Sequence, residues 1–409
     1  MLDPRFSRLA VAGSTLLIAI LAYASQLFLL APHLSQRQSI FFNTLVACIW
    51  ISYYRSITTH PGSPPKDWAP PAHDGADAEE GRGRAEERRL VVGAGKWCRK
   101  CMGYRPVRAH HCRTCNVCVL RMDHHCPWTN NCVGYRNLPH FLRFLAYSAF
   151  TSLYLLTHLF SRCSVVWEAR NTPAYSSPHT LPQLLLLTAL TLATIFTTFA
   201  LAILTLRTFW SVANGYTTIE TWEQDRHDAL VARKKVPRQE FPYDIGFWDN
   251  LCSAFGGTGN ILSWAWPLGR TRSVGEAVRG SGDVVMRGGL EWEVNGYEDL
   301  GVVWPPVDPD KLSAAGFGKA VDQATVAEGG GGEWVEGVRR RQREDMDRRR
   351  ARGETGARQE ELRYPRIAER GWEWRNGEGE SLADYGVEVE AEGDDEDVPL
   401  AVLMKRKMK

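Results

Sequence analysis

The chain has 409 residues, with 49 Lys and Arg against 47 Asp and Glu, and the resulting net charge of +2 excludes a general polyanion binder. Apolar residues crowd into a few runs in the first half while the second half is polar and rich in Gly, the pattern of a membrane core with a soluble tail. Seven of the ten cysteines lie between Cys98 and Cys132 with several histidines among them, which excludes a dispersed disulfide framework and points to metal or catalysis in a reducing, cytosol-facing compartment.

Residues 9–31 contain no charged side chain and are long enough at helical rise to cross a hydrocarbon core of about 30 Å. Their length and the lack of a small-residue cleavage site argue for a first span over a removable signal peptide. Residues 40–54, bounded by Arg37 and Arg55, predict a shorter second span. Residues 144–167 and 181–206 predict spans three and four. Four spans place both termini on one side. The Lys/Arg bias around spans one, two and four, including Arg5, Arg8, Lys96, Arg99, Arg207 and Arg233, puts that side in the cytosol. Four runs with a consistent charge bias argue against a soluble helical protein.

Between spans two and three the chain first passes a linker rich in Ala, Gly, Glu and Arg, residues 67–95, and then reaches the cysteines. The order is Cys98-x2-Cys101, His111-Cys112-x2-Cys115-x2-Cys118, Asp123-His124-His125-Cys126 and Cys132. A Cys-x2-Cys knuckle aims two thiolates at one tetrahedral ion. Two closed sites need eight ligands, which six cysteines and two histidines supply as two Cys3His sets, leaving Cys126 over. Counting alone leaves open that Cys126 is a further ligand or a spare thiol. Asp123 and His124 beside it supply what a cysteine nucleophile needs, an imidazole to draw off the proton and a carboxylate to orient that ring.

Asp123-His124-His125-Cys126-Pro127-Trp128 in this cysteine spacing, between the second and third of four spans, resembles the signature of the DHHC protein acyltransferases. Residues 215–220, Gly-Tyr-Thr-Thr-Ile-Glu, are similar to that family's Thr-Thr-x-Glu motif, and residues 250–256 resemble its C-terminal motif. The resemblance covers roughly residues 9–257 and implies an α-helical polytopic membrane protein. Such a protein has four transmembrane helices, a small cytosolic zinc-bound cysteine-rich domain between spans two and three, and a largely disordered C-terminal tail. Its expected divisions are spans one and two in 1–57 and a cytosolic linker in 58–95. The zinc domain follows in 96–140, spans three and four in 141–212, the two cytosolic motifs in 213–270, and the tail in 271–409.

The implied activity is protein S-palmitoyl transfer from acyl-CoA through an acyl-Cys126 intermediate to cysteines of other proteins, with His124 as base and Asp123 as its orienter. The resemblance assigns Cys98, Cys101, His111 and Cys118 to one structural zinc ion and Cys112, Cys115, His125 and Cys132 to the other. Thr218 would hydrogen-bond near Asp123 and Asn250 would lock the C-terminal segment. The turn often written Asp-Pro-Gly in the family is here His60-Pro61-Gly62, which puts any role of the Asp in doubt.

Residues 236–246 and 292–299 look like the fungal endoplasmic-reticulum branch of the family, which implies membrane-protein substrates with cytosolic cysteines, chitin synthase first among them. Lys405 and Lys407 suit a dilysine retrieval signal and equally a generic basic tail. Lys96, Arg99, Arg105 and Arg108 suit the CoA phosphates and equally a solvated basic face. The rival readings are a membrane-anchored zinc module of RING type and, far behind, a nucleic-acid-binding zinc protein, against which the four spans and the absence of a strongly basic domain speak.

Overall fold

A computed structural model describes residues 4–70, 90–91, 96–171, 180–233, 235–236, 238–257, 259–279, 285–295 and 304. Helix α1 (Pro4–Ala19) continues through two wider π turns, Ile20–Ala24 and Gln26–Leu30, with buried Ser25 between them donating its hydroxyl to the Leu21 carbonyl. Helix α2 (Gln36–Thr58) starts earlier than the apolar run because Ser35 and Gln38 form a reciprocal capping box that satisfies the first-turn donors.

Among the described residues, Phe6–Leu30, Gln36–Thr58 and Leu181–Ala213 are the helices long and apolar enough to cross a membrane, with mean hydropathies of 1.8, 1.2 and 2.1. The expected third span falls inside helix α3 (Leu138–Glu168), which is not among them. Its His140, Arg143, His158 and Arg162 dilute the apolar content of a 31-residue helix. Helix α4 (Leu181–Ala213) opens on a Thr180–Gln183 capping box and runs about two turns beyond the expected end at residue 206. All four helical segments meet in one apolar cluster that includes Leu21, Leu30, Phe42, Val46, Leu155, Leu159, Leu187 and Leu190. Packing of this kind, rather than water exclusion, holds helices together in lipid.

The short strand β1 (Leu90–Val91) precedes three hairpins between α2 and α3. Strands β2 (Lys96–Cys98) and β3 (Gly103–Arg105) form the first, β4 (His110–Cys112) and β5 (Val117–Val119) the second, and β6 (His124–Cys126) and β7 (Asn131–Val133) the third. Their registers are identical: Cys98, Cys112 and Cys126 pair with Gly103, Val117 and Asn131, at a constant interval of fourteen residues. Met102, Asn116 and Asn130 turn each hairpin with positive φ values of 53°, 54° and 47°.

The third hairpin is fixed to the membrane helices. The Asn131 amide donates to the carbonyls of Ser56, Ile57 and Thr59 at 3.1, 3.2 and 2.9 Å, the group a helix C-terminus leaves without partners. Asn137 donates to the Cys132 carbonyl at 2.7 Å and accepts from the Gly134 amide at 2.9 Å, setting the turn into α3. Asn131→Ala is expected to cost about 1–3 kcal/mol, the penalty for unsatisfied buried carbonyls, read as a lower thermal midpoint in detergent.

After α4 come helix α5 (Thr218–Ala232), helix α6 (Phe247–Ala254), the short helix α7 (Ile261–Ala265), a hairpin of β8 (Ala277–Arg279) and β9 (Val285–Arg287), and β10 (Trp292–Glu293), which pairs with β1. Ordered chain thus extends past the boundary expected at residue 270. Trp292 is buried there, beneath the Arg108 guanidinium at 4.8 Å and edge-on to Tyr135 at 5.8 Å.

The chain divides into two compact units, and Met1–Thr218 with Asp244–Glu293 carries the long helices and hairpins. In the other, Ile219–Tyr243 with Val294–Lys409, buried His227 accepts from the Gln239 amide at 3.3 Å and Asn295 donates through its backbone to Pro242 at 2.9 Å. Residues 71–89 of the linker, the basic and acidic runs of the tail, and Lys405 and Lys407 lie outside the described residues.

Candidate active site

The hairpins hand ligands forward. The knuckle of the first, Cys98 and Cys101, meets the cross-strand pair His111 and Cys118 of the second, and the second knuckle, Cys112 and Cys115, meets His125 and Cys132 of the third. Within each set the ligand atoms lie within 4.8 Å of one another. His111 Nδ1 is 3.5, 3.3 and 3.8 Å from the sulfurs of Cys98, Cys101 and Cys118. His125 Nδ1 is 3.7, 3.4 and 3.6 Å from those of Cys112, Cys115 and Cys132. A tetrahedral zinc with Zn–S near 2.3 Å and Zn–N near 2.05 Å sets sulfur–nitrogen edges at about 3.6 Å, so the donor sets fit that ion in size and chemistry. The cysteines carry no disulfides. Where the other hairpins place a His–Cys pair, the first carries Trp97 and Tyr104, packed edge to face at 4.9 Å, which closes the series at its start.

Cys126 belongs to neither set. It stands at the knuckle position of the third hairpin, 5 % exposed, in an apolar cluster with Val133, Leu138, Phe141, Leu142, Leu145, Val212 and Ala254. Asp123 Oδ2 lies 2.6 Å from His124 Nδ1 and fixes the ring, leaving Nε2 for the Cys126 sulfur, with which His124 shares a hydrogen bond. The ring also stands edge-on to Phe141 at 5.7 Å. Burial alone would lower the His124 pKa, but the Asp123 carboxylate and the Cys126 thiolate outweigh it and push the imidazole up to about 10. Burial likewise opposes ionisation of Cys126, yet the imidazolium and hydrogen bonds from Thr129 bring the thiol below its ordinary value. Both shifts favour a thiolate–imidazolium pair inside the apolar wall.

Asp123 is held in turn. The Thr218 amide donates to Oδ1 at 2.8 Å and the Thr218 hydroxyl to Oδ2 at 2.9 Å, from the first turn of α5. Together with His124, Thr218 outweighs burial and keeps the carboxyl below its usual range. Asn250, 3 % exposed, donates to the Ala213 carbonyl at 2.9 Å and to Asp244 Oδ1 at 2.7 Å, fastening α6 to the end of α4. His60 takes the acceptor role that an Asp would have in its turn, its Nδ1 receiving the Gly62 amide at 3.1 Å while Gly62 adopts a φ of 103°.

Three contacts had no signal in the sequence: Tyr53 Oη donating to the Trp128 carbonyl at 2.8 Å, Arg108 donating to the Gly215 carbonyl at 2.6 Å, and the Asn131 cap of α2. Beside the cysteine wall lies an open apolar groove of about 890 Å³ lined by residues that include Leu45, Ala146, Phe150, Ala202, Leu206 and Phe209 from α2, α3 and α4. Phe209 also packs against the cluster that holds Cys126.

Residues 92–225 match the family model for DHHC palmitoyltransferases. The chain is 40 % identical to palmitoyltransferase pfa4 of Emericella nidulans over 98 % of its own length and 97 % of the relative's. The chain belongs to the DHHC palmitoyltransferase family. It is 35 % identical to palmitoyltransferase PFA4 of Yarrowia lipolytica over 91 % and 94 % of the two chains, and 31 % identical to palmitoyltransferase PFA4 of Saccharomyces cerevisiae over 95 % and 99 %. It is thus a protein S-acyltransferase of the fungal Pfa4 type, and the matched family segment contains all three hairpins, the Asp-His-His-Cys tetrapeptide and Thr218.

Proposed function

We propose that this palmitoyltransferase works through Cys126, and the observation that carries the reading is the Asp123–His124–Cys126 array set in an apolar wall next to a groove among the long helices. The Cys126 thiolate attacks the acyl-CoA thioester, the carbon–sulfur bond to CoA breaks, and the His124 imidazolium gives its proton to the departing CoA sulfur. A substrate cysteine then loses its proton to His124 and attacks the acyl–Cys126 carbonyl, restoring the enzyme thiolate. Asp123, braced by Thr218, holds His124 in the tautomer that faces the sulfur. The two Cys3His sets are structural zinc sites: bound there, zinc fixes the three hairpins in register, and with four protein ligands it keeps no open position for substrate. Asn250 holds the C-terminal segment on α4.

The acyl chain occupies the groove, with its thioester end at the Phe209 side where the Cys126 cluster begins. Each buried CH2 contributes about 0.8 kcal/mol, so the groove depth acts as a chain-length gauge. Ala202→Phe is expected to shift preference from palmitoyl-CoA toward acyl chains a few carbons shorter, measured by competition among acyl-CoAs of graded length. Of the basic residues suited to the CoA phosphates, Arg108 is engaged with Gly215 and Trp292 and Arg105 is buried, whereas Lys96 and Arg99 are exposed on the first hairpin.

Helix α3 is the remaining span, third in chain order. Its N-terminus and the C-terminus of α2 are joined to the same hairpin, so α3 leaves from the face at which α2 arrives, and at about 1.5 Å per residue it is long enough to cross. With four spans both termini and the zinc domain lie in the cytosol, where acyl-CoA and substrate thiols are available. Membership of the Pfa4 type supports residence in the endoplasmic reticulum and substrates that are membrane proteins with cytosolic cysteines, with chitin synthase the first to try. The purified chain mixed with labelled palmitoyl-CoA is expected to release one CoA per chain in a burst and to retain hydroxylamine-labile label. A purely structural zinc module would do neither.

A further inference from the structure

The three hairpins share one register and one turn, yet only two of their knuckles are complete. Position four of the knuckle is Cys101 in the first hairpin, Cys115 in the second and Thr129 in the third. In the two complete knuckles the amide of that residue donates back to the first sulfur, Cys101 to Cys98 at 3.5 Å and Cys115 to Cys112 at 3.3 Å. Thr129 closes the corresponding turn on the Cys126 carbonyl instead, through its backbone amide at 3.3 Å and its hydroxyl at 3.3 Å. Thr129 is 1 % exposed, so these bonds are shielded from water. Directly after the third hairpin the chain enters α3 at Leu138, where the first two hairpins are each followed by one that supplies a His–Cys pair.

We infer that Thr129 is the positioning residue that keeps the Cys126 sulfur held in knuckle geometry but free of metal. It gives the sulfur the knuckle's turn, closed on the Cys126 carbonyl, without supplying a second thiolate. The reacting hairpin is a third zinc knuckle whose metal has been traded for Thr129, which explains how a nucleophilic cysteine survives beside eight metal-binding side chains. A cysteine at position 129 would complete a soft-ligand set with Cys126 and the His124 ring, three donors around one point.

This rests on Cys126 being the acylated residue, which the wild-type arm establishes separately. Under reducing conditions, Thr129→Cys is expected to bind one more equivalent of Cd2+ or Zn2+ than the wild type, and to lose its acyl-enzyme burst when that equivalent is added, since a metal-bound thiolate is not a free nucleophile. The burst should return when the added metal is withdrawn with a weak chelator, while the wild type is indifferent to both additions. Thr129→Val, which keeps the backbone amide and removes the hydroxyl bond that holds the Cys126 carbonyl, is expected to slow the burst about fivefold, the worth of one ordinary buried hydrogen bond, and Thr129→Ser to restore it. The inference is overturned if Thr129→Cys takes up no extra metal while binding the two structural ions and acylating Cys126 normally, or if Thr129→Val acylates at the wild-type rate. Failure of wild-type Cys126 to become acylated would instead overturn the reading of the reaction on which it rests.

Discussion

Cys126→Ala is expected to leave no hydroxylamine-labile acyl group on the chain and no transfer to a substrate cysteine, while two zinc ions stay bound. The loss follows from the chemistry: without the sulfur there is no acyl-enzyme, and no other described cysteine outside the metal sets stands beside an Asp-fixed imidazole. Metal retention follows from the geometry, because all eight ligand atoms belong to other residues. His124→Ala offers a graded comparison. It keeps both metal sets and removes the base, so the burst should slow by about 10²- to 10⁴-fold, the usual worth of general acid–base assistance.

His125→Ala, one residue away, is expected to do the opposite in kind: up to one equivalent of zinc is lost, the thermal midpoint falls, and activity disappears because the third hairpin is no longer held. His125 Nδ1 faces three sulfurs that would otherwise crowd one another, with Cys115 and Cys132 only 3.5 Å apart. Without the ion, thiolates at that spacing repel, and the free energy of metal binding, which is folding free energy in such domains, is forfeited. Metal content and unfolding midpoint together separate this variant from Cys126→Ala, although both are inactive.

The roles along the tetrapeptide came from the family resemblance, and the structure supplies their physical reason, because strand side chains alternate between faces: His124 and Cys126 share one side of β6 while His125 points to the other, toward the second knuckle. Counting gave two Cys3His sets and the family resemblance said which ligands belong to each, and these are the sets the structure brings together. The fourteen-residue interval was present in the sequence too, but the substitutions Trp97, Tyr104 and Thr129 hide it until the common register is seen.

What could not be read depends on contacts between distant residues. Asn131 reaches carbonyls more than seventy residues earlier, with no signal in the sequence, whereas the bond from Thr218 to Asp123 across 95 positions was expected only through the family resemblance. The long helices were located by their apolar runs but not fully bounded: the Ser35 cap starts α2 before residue 40, α3 begins at Leu138 rather than 144, and α4, placed correctly at its start, runs on past residue 206. Order past residue 270 was also missed, because Trp292 earns its place by burial against Arg108 and Tyr135, which composition cannot show.

The most direct measurement is the position of the acyl group after a single turnover. Purified chain given one equivalent of palmitoyl-CoA, quenched in acid, digested and analysed by mass spectrometry should carry palmitate in thioester linkage at Cys126 alone, with two zinc ions per chain in the same preparation. Palmitate on any of the six cysteines of the metal sets, or none on Cys126 in a chain that still transfers it to substrate, would contradict the account.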